Sequence, residues 1–119
     1  MLSRLCLILE DEPLIAMDVA DAFESAGYAL LGPFATCSTA LSALETQTPS
    51  IAIVDLLVKD GSCAPVFAKL RSLGVPTIIY TGRPAASRAD FSEATWVSKP
   101  CAPESLIEAA EQLLLVNKI

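Results

Sequence analysis

The sequence predicts an α/β fold: a doubly wound, five-stranded parallel sheet in strand order 2-1-3-4-5, with a shortened or missing fourth helix. Three observations predict it. Five short runs rich in Leu, Ile and Val, with little polar alternation, recur along the 119 residues; this is how strands buried on both faces read. Helix-like stretches lie between them, and repeated strand–helix units imply a parallel sheet covered on both sides. The reactive side chains sit just after the runs, where open α/β sheets gather ligands beside the point at which strand order reverses.

The elements follow in order. Residues 5–9, L-C-L-I-L, form the first strand. A helix over 13–26 opens on Pro13, well suited to a first turn, and stops at Gly27. Its predicted inner face is Ile15, Val19, Ala22 and Ala26. The second strand covers 28–31 and ends at Gly32-Pro33. A helix over 36–46 carries Ala40, Leu41 and Leu44, and the third strand covers 51–54. Ser62 is predicted to cap a helix running to about Leu73, with Val66, Phe67 and Leu70 inward and Gly74 as the stop. The fourth and fifth strands are 77–80 and 96–97. The last helix, 103–116, turns Leu106, Ile107, Ala110 and Leu114 inward, and Glu104 complements its dipole. Only 13 residues separate Gly82 from Trp96; they include Pro84 and few large apolar side chains, so a turn or two is expected there instead of a full crossover helix.

Composition narrows the function. Apolar residues make up 53%, charged residues 18%, and mean hydropathy is +0.52, so the chain can bury a core and reads as one domain over 1–119. A net charge of −6 argues against direct nucleic-acid binding, which needs Lys and Arg against phosphates. There is no His, which removes every mechanism that needs an imidazole within this chain. The apolar run at 5–9 is too short for a signal peptide and ends in Glu10-Asp11-Glu12. No stretch approaches the roughly 20 residues of a membrane span, so a cytoplasmic location with no membrane contact is expected. Cys6, Cys37, Cys63 and Cys101 are scattered, with no C-x-x-C pair, which argues against a zinc site.

The strand ends carry the chemistry. The first run leads into Glu10-Asp11-Glu12, the third into Asp55, the fourth into Thr81-Gly82 and the fifth into Ser98-Lys99-Pro100. With strand 2 at an edge and strands 1 and 3 central, these groups fall in one crevice. Glu10, Asp11 and Asp55 against Lys99 leave a net charge of −2, which suits a divalent cation. The ligands are oxygens, so Mg²⁺ is the natural candidate, its shell completed by water and phosphate. A carboxylate, a metal, the Thr81 hydroxyl and the Lys99 ammonium around one point describe a phosphoryl-transfer site. Each residue alone reads as an ordinary turn or a solvated end; the four strand ends jointly are far more specific.

These motifs, L-I-L-E-D-E-P, I-A-I-V-D-L-L-V-K-D-G-S, I-I-Y-T-G and W-V-S-K-P, resemble a response-regulator receiver domain of the CheY-like type over nearly the whole chain. The resemblance implies that Asp55 is the phosphoacceptor. It implies metal ligation by Asp11, by Asp55, by Glu10 through water and by the backbone carbonyl of Leu57. It gives Thr81 and Lys99 to the phosphoryl group and makes Trp96 the aromatic switch. It also implies a cis bond before Pro100, chemically reasonable because proline follows. Within the family, E-D-E-P-L-I-A-M-D and D-G-S are similar to the single-domain, stand-alone receivers of alphaproteobacteria; some of those carry F-A-T-G on strand 4, where this chain has I-Y-T-G. Leu57 is often polar in relatives, and its side chain cannot hydrogen-bond an attacking water, so a long-lived acyl phosphate is expected.

The implied function is that of a receiver in a two-component system or phosphorelay. A histidine kinase or histidine phosphotransfer protein would donate to Asp55 with Mg²⁺. A downstream protein would be reached by contact, the receiver acting as a monomer or weak dimer. It would not be an enzyme beyond Mg²⁺-dependent self-phosphorylation and slow autodephosphorylation. The alternative is a phosphorylation-independent interaction module on the same fold; retention of Glu10, Asp11, Asp55, Thr81 and Lys99 weighs against it. A phosphohydrolase resembling haloacid dehalogenases needs D-x-D-x-T, and Asp55-Leu56-Leu57 lacks the second acid. A flavodoxin-like cofactor domain needs a Gly/Ser/Thr-rich loop after strand 1, which is missing.

Overall fold

The computed structural model describes residues 4–82, 91 and 93–116. In chain order the elements are β1 (Leu5–Leu9), α1 (Pro13–Ser25), β2 (Ala29–Phe34), α2 (Cys37–Leu44), β3 (Ile51–Val54), β4 (Leu57–Val58), β5 (Gly61–Ser62), α3 (Ala64–Ser72), β6 (Thr77–Thr81), β7 (Thr95–Ser98) and α4 (Pro103–Val116). The main sheet has five strands in the order β2-β1-β3-β6-β7, all pairings parallel. That is the expected 2-1-3-4-5 arrangement, with β4 and β5 as a separate antiparallel hairpin.

The sheet divides the core because successive strand side chains point to opposite faces. Leu7, Leu9, Ala52, Val54 and Ile79 meet Ala40 and Leu44 of α2 and Val66, Phe67 and Leu70 of α3. Cys6, Ile8, Ile51, Ile53, Ile78 and Tyr80 meet Val19 and Phe23 of α1 and Leu106, Ala110 and Leu114 of α4. Both faces are covered, which is why the strands lack polar alternation. Cys6 is one of these core side chains, and burial pushes its thiol up to about 12. All four cysteines are free thiols. Among the described residues, no helix is long and apolar enough to cross a membrane.

Several local expectations are corrected. The inner stripe of α1 is Ala16, Val19 and Phe23, with Ile15 and Ala22 only partly buried and Ala26 exposed beyond the helix end. The fully enclosed Phe23 ring, edge-on to Tyr28 at 5.0 Å between centroids, fixes the helix rotation. β2 does not stop at Gly32-Pro33 but runs to Phe34. Its pairing with β1 slips by one residue between Leu7 and Leu9, and Gly32 absorbs the extra residue at φ +98°. Pro33 is tolerated because β2 is an edge strand.

Ser62 closes the small hairpin, and α3 begins at Ala64 after Cys63. The Ser62 hydroxyl oxygen still accepts from the Ala64 N–H at 3.1 Å. The hairpin turn has a second use: the Asp60 carboxylate accepts from the Cys37 and Ser38 N–H groups at 2.7 and 3.1 Å, sealing the start of α2. These bonds hold the Asp60 carboxyl below its usual range. The short segment expected between Gly82 and Trp96 falls mainly on residues 83–90 and 92, outside the described residues.

Candidate functional site

Parallel strands bring their carboxyl ends to one edge of the sheet. Residues after β1 and β3 are neighbours there because the two strands pair in register, Leu9 beside Val54. Glu10 and Asp11 follow β1 and Asp55 follows β3. The backbone ties these ends down: the Asp55 N–H donates to the Leu9 carbonyl at 2.9 Å, and the Glu10 N–H to the Phe34 carbonyl at 2.8 Å. One carboxylate oxygen from each of Glu10, Asp11 and Asp55 lies within 4.8 Å of the others.

Lys99 enters from the end of β7. Its N–H donates to the Thr81 carbonyl at 3.0 Å, which continues the β6–β7 ladder past Ser98. Its ammonium then reaches across β6 to donate to Glu10 Oε1 at 2.7 Å and Asp55 Oδ2 at 2.8 Å. It also lies 5.5 Å from the centre of the Tyr80 ring. The other oxygens are held as well. Asp55 Oδ1 accepts from the Leu56 N–H at 2.7 Å, and Glu10 Oε2 from the Glu12 N–H at 3.1 Å.

Burial sets the electrostatics. Only 4% of the Glu10 side chain is exposed, against 12% for Asp55 and 13% for Lys99. Desolvation raises the Glu10 pKa above its usual value; the Lys99 and Glu12 donors oppose this only in part. For Lys99, burial works to lower the pKa, but the hydrogen bonds to Asp55 and Glu10 outweigh it and the net shift is upward. One ammonium thus compensates two buried carboxylates directly. Asp11 adds a third negative charge at their rim, so the cluster keeps a net charge of −2. An all-oxygen, electronegative pocket of this kind fits a hard divalent cation.

The remaining predicted residues surround this group. Leu57 opens β4, two positions past Asp55, with its side chain 39% exposed. Thr81 is not a turn residue but the last residue of β6, and it is buried. Trp96 lies within β7, opposite Ile79, and packs edge-on against Phe91 with ring centres 5.9 Å apart. Thr81 and Trp96 occupy like-facing positions in this register, on the α2–α3 side of the sheet. The Lys99–Pro100 peptide is cis, as is Gly32–Pro33. Two contributors went unread in the sequence: the Leu56 N–H that pins Asp55, and the Tyr80 ring beside Lys99. Strand alternation was the available signal for Tyr80, since it turns away from Thr81.

Comparison with known proteins supports the same reading of the fold. No family model matches the chain. It is 32% identical over 119 aligned residues to the phyllosphere-induced regulator PhyR of Methylorubrum extorquens; the match covers 94% of this chain and 44% of that regulator. The chain therefore spans less than half of that relative's length. The CheY-like response regulator receiver domain protein of Methanospirillum hungatei superposes with a TM-score of 0.89 at 24% identity, over 98% of each chain. The response regulator REC domain of Erythrobacter litoralis PhyR superposes with a TM-score of 0.80 at 30% identity, over 96% of this chain and 91% of that one. With its sheet order and the acids, lysine and buried threonine gathered at one edge, the chain belongs to the response-regulator receiver domains.

Proposed function

We propose that this receiver is a phosphoacceptor in which Asp55 takes a phosphoryl group from a phosphohistidine of a histidine kinase or phosphotransfer protein. A carboxylate oxygen of Asp55 bonds to phosphorus as the phosphorus–nitrogen bond of the donor breaks. The donor imidazole keeps the electron pair and regains a proton from water. The observation that carries this reading is the bridge from the Lys99 ammonium to both Asp55 and Glu10 beside Asp11.

Glu10, Asp11, Asp55 and the Leu57 carbonyl would hold Mg²⁺, which when bound offsets the negative charge gathered on the transferring group. The chain's own residues do the rest. The Leu56 N–H holds one Asp55 oxygen and so orients the carboxylate. Lys99 is already within hydrogen-bond reach of the other and can follow the charge onto the new phosphoryl oxygens. Thr81, buried at the end of β6, supplies a hydroxyl to the phosphorylated form, and Trp96 on the adjoining strand responds. The change is a population shift, driven only by the different contacts that the two states make to the phosphoryl group. The signal leaves by contact with another protein.

The test is incubation with acetyl phosphate and Mg²⁺, read by intact mass. A single phosphate adduct is expected, absent without Mg²⁺ and absent in Asp55→Ala. An unmodified wild-type chain would instead favour an interaction module that does not use phosphorylation.

A further inference from the structure

On the α1–α4 side of the molecule, a groove of about 750 Å³ runs between these two helices. Its apolar lining includes Ala22 and Ile107, both half-buried, and Leu115, which is 63% exposed. Acids rim it: Asp21 from α1, Glu104 and Glu108 from α4. Glu104 and Glu108 are four residues apart on one helix face, where like charges repel. Among the described residues, none of these three acids has an ion-pair partner.

We propose that this groove binds an amphipathic helix of a partner protein, with an apolar stripe flanked by Lys or Arg. Charge decides the occupant. The chain carries a net charge of −6, so a second copy would set acid against acid. Anionic lipid and nucleic acid are repelled for the same reason. A basic flank relieves the Glu104–Glu108 repulsion while its apolar stripe covers Ile107 and Leu115. Length agrees: from Glu104 to Leu115 the axis of α4 advances about 16 Å, three turns of a docked helix. The groove involves the second half of α1, whereas the acid cluster lies before the first turn of that helix. A partner here therefore does not obstruct Asp55.

The experiment is a titration of the isotope-labelled chain by amide NMR, with a 14-residue peptide as probe. The peptide carries leucines at helical spacing with lysines on both flanks. Saturable shifts are expected at residues 21–26 and 104–115. In the Glu104→Gln/Glu108→Gln variant the peptide should bind about tenfold more weakly, the loss of two surface charge pairs. Glu45→Gln, an acid at the end of α2, should leave binding unchanged, and a scrambled peptide of the same composition should not bind. The spectra report folding of each variant directly. Equal binding of the scrambled peptide, or an equal loss in Glu45→Gln, would reduce the effect to general acid–base attraction and overturn the proposal. So would shifts clustered elsewhere, or dilution shifts at the same amides without peptide, which would make a second copy the occupant.

Discussion

Replacing Lys99 with Met keeps the aliphatic stem and removes the ammonium that joins Glu10 to Asp55. Both carboxylates then remain largely out of solvent, 4% and 12% exposed, without their shared counter-ion. Removing one partner of a buried ion pair costs about 3–5 kcal/mol. The slight solvent access of Asp55 and the option of protonating Glu10 put this variant at the low end, about 3 kcal/mol at pH 8. The pH dependence has a definite sign. Glu10 already has a raised pKa in the fold, and Lys99 is one of the donors restraining it. Without Lys99 the folded protein binds a proton at Glu10 more readily than the unfolded chain does, so stability recovers as pH falls through the folded pKa. At pH 5 the deficit should be clearly smaller than at pH 8. In the wild type the Lys99 pKa is itself raised above 10.5. The stability it contributes is therefore present at neutral pH and lost as pH rises above 10.5 through the folded value; the variant lacks this alkaline step. Urea unfolding followed by far-ultraviolet circular dichroism measures these differences. A deficit under about 1 kcal/mol at pH 8, or one that is the same at pH 5, would refute the account of Lys99 as the compensating charge.

Asp11→Asn removes the third carboxylate, which has only repulsion to offer the other two in the absence of a cation. It should raise the stability of the metal-free chain by about 0.5–1 kcal/mol and abolish the rise in Tm that Mg²⁺ is expected to give the wild type; thermal melts with and without Mg²⁺ decide both. Leu57→Asn puts a hydrogen-bonding amide two residues past Asp55, so on the proposed function loss of phosphate from the chain should quicken severalfold, read by intact mass over time after removal of acetyl phosphate. Gly32→Ala places a Cβ 2.8 Å from the Ile8 carbonyl oxygen at a residue with φ +98°. It should cost about 2 kcal/mol or more, measured by urea unfolding, because neither strand backbone can yield.

The sheet and its reactive edge were legible because both follow from strong local signals. Continuous apolar runs such as Ile51–Val54 mark doubly covered strands; Glu10 and Asp55 stand directly after one, and Asp11 and Lys99 within two residues of one. The misread details have weaker signatures. A two-residue strand such as Gly61–Ser62 has no periodicity at all, so Ser62 read as a helix cap. In α1, a pattern of Ala and Ile suggested one face, while the volume of Phe23 turned another inward. Gly32-Pro33 carries every local mark of a stop, and only the long-range pairing of Leu9 with Phe34 carries β2 past it. The β2 extension and the rotation of α1 were decided by tertiary contacts that no short window of sequence contains, whereas the small hairpin is a local pairing of Leu57 with Ser62 too brief to leave a pattern.

Lys99 has a mechanical side. Its backbone is fastened to β6 through Thr81, its side chain to the ends of β1 and β3, and among the described residues the strand that delivers it is outermost and paired along one flank only. A lever is most easily moved at its loosest support. Under the proposed phosphorylation of Asp55, the redistributed negative charge would tug on that outer strand before it disturbed the interior, and the displacement would travel back toward the indole three residues upstream.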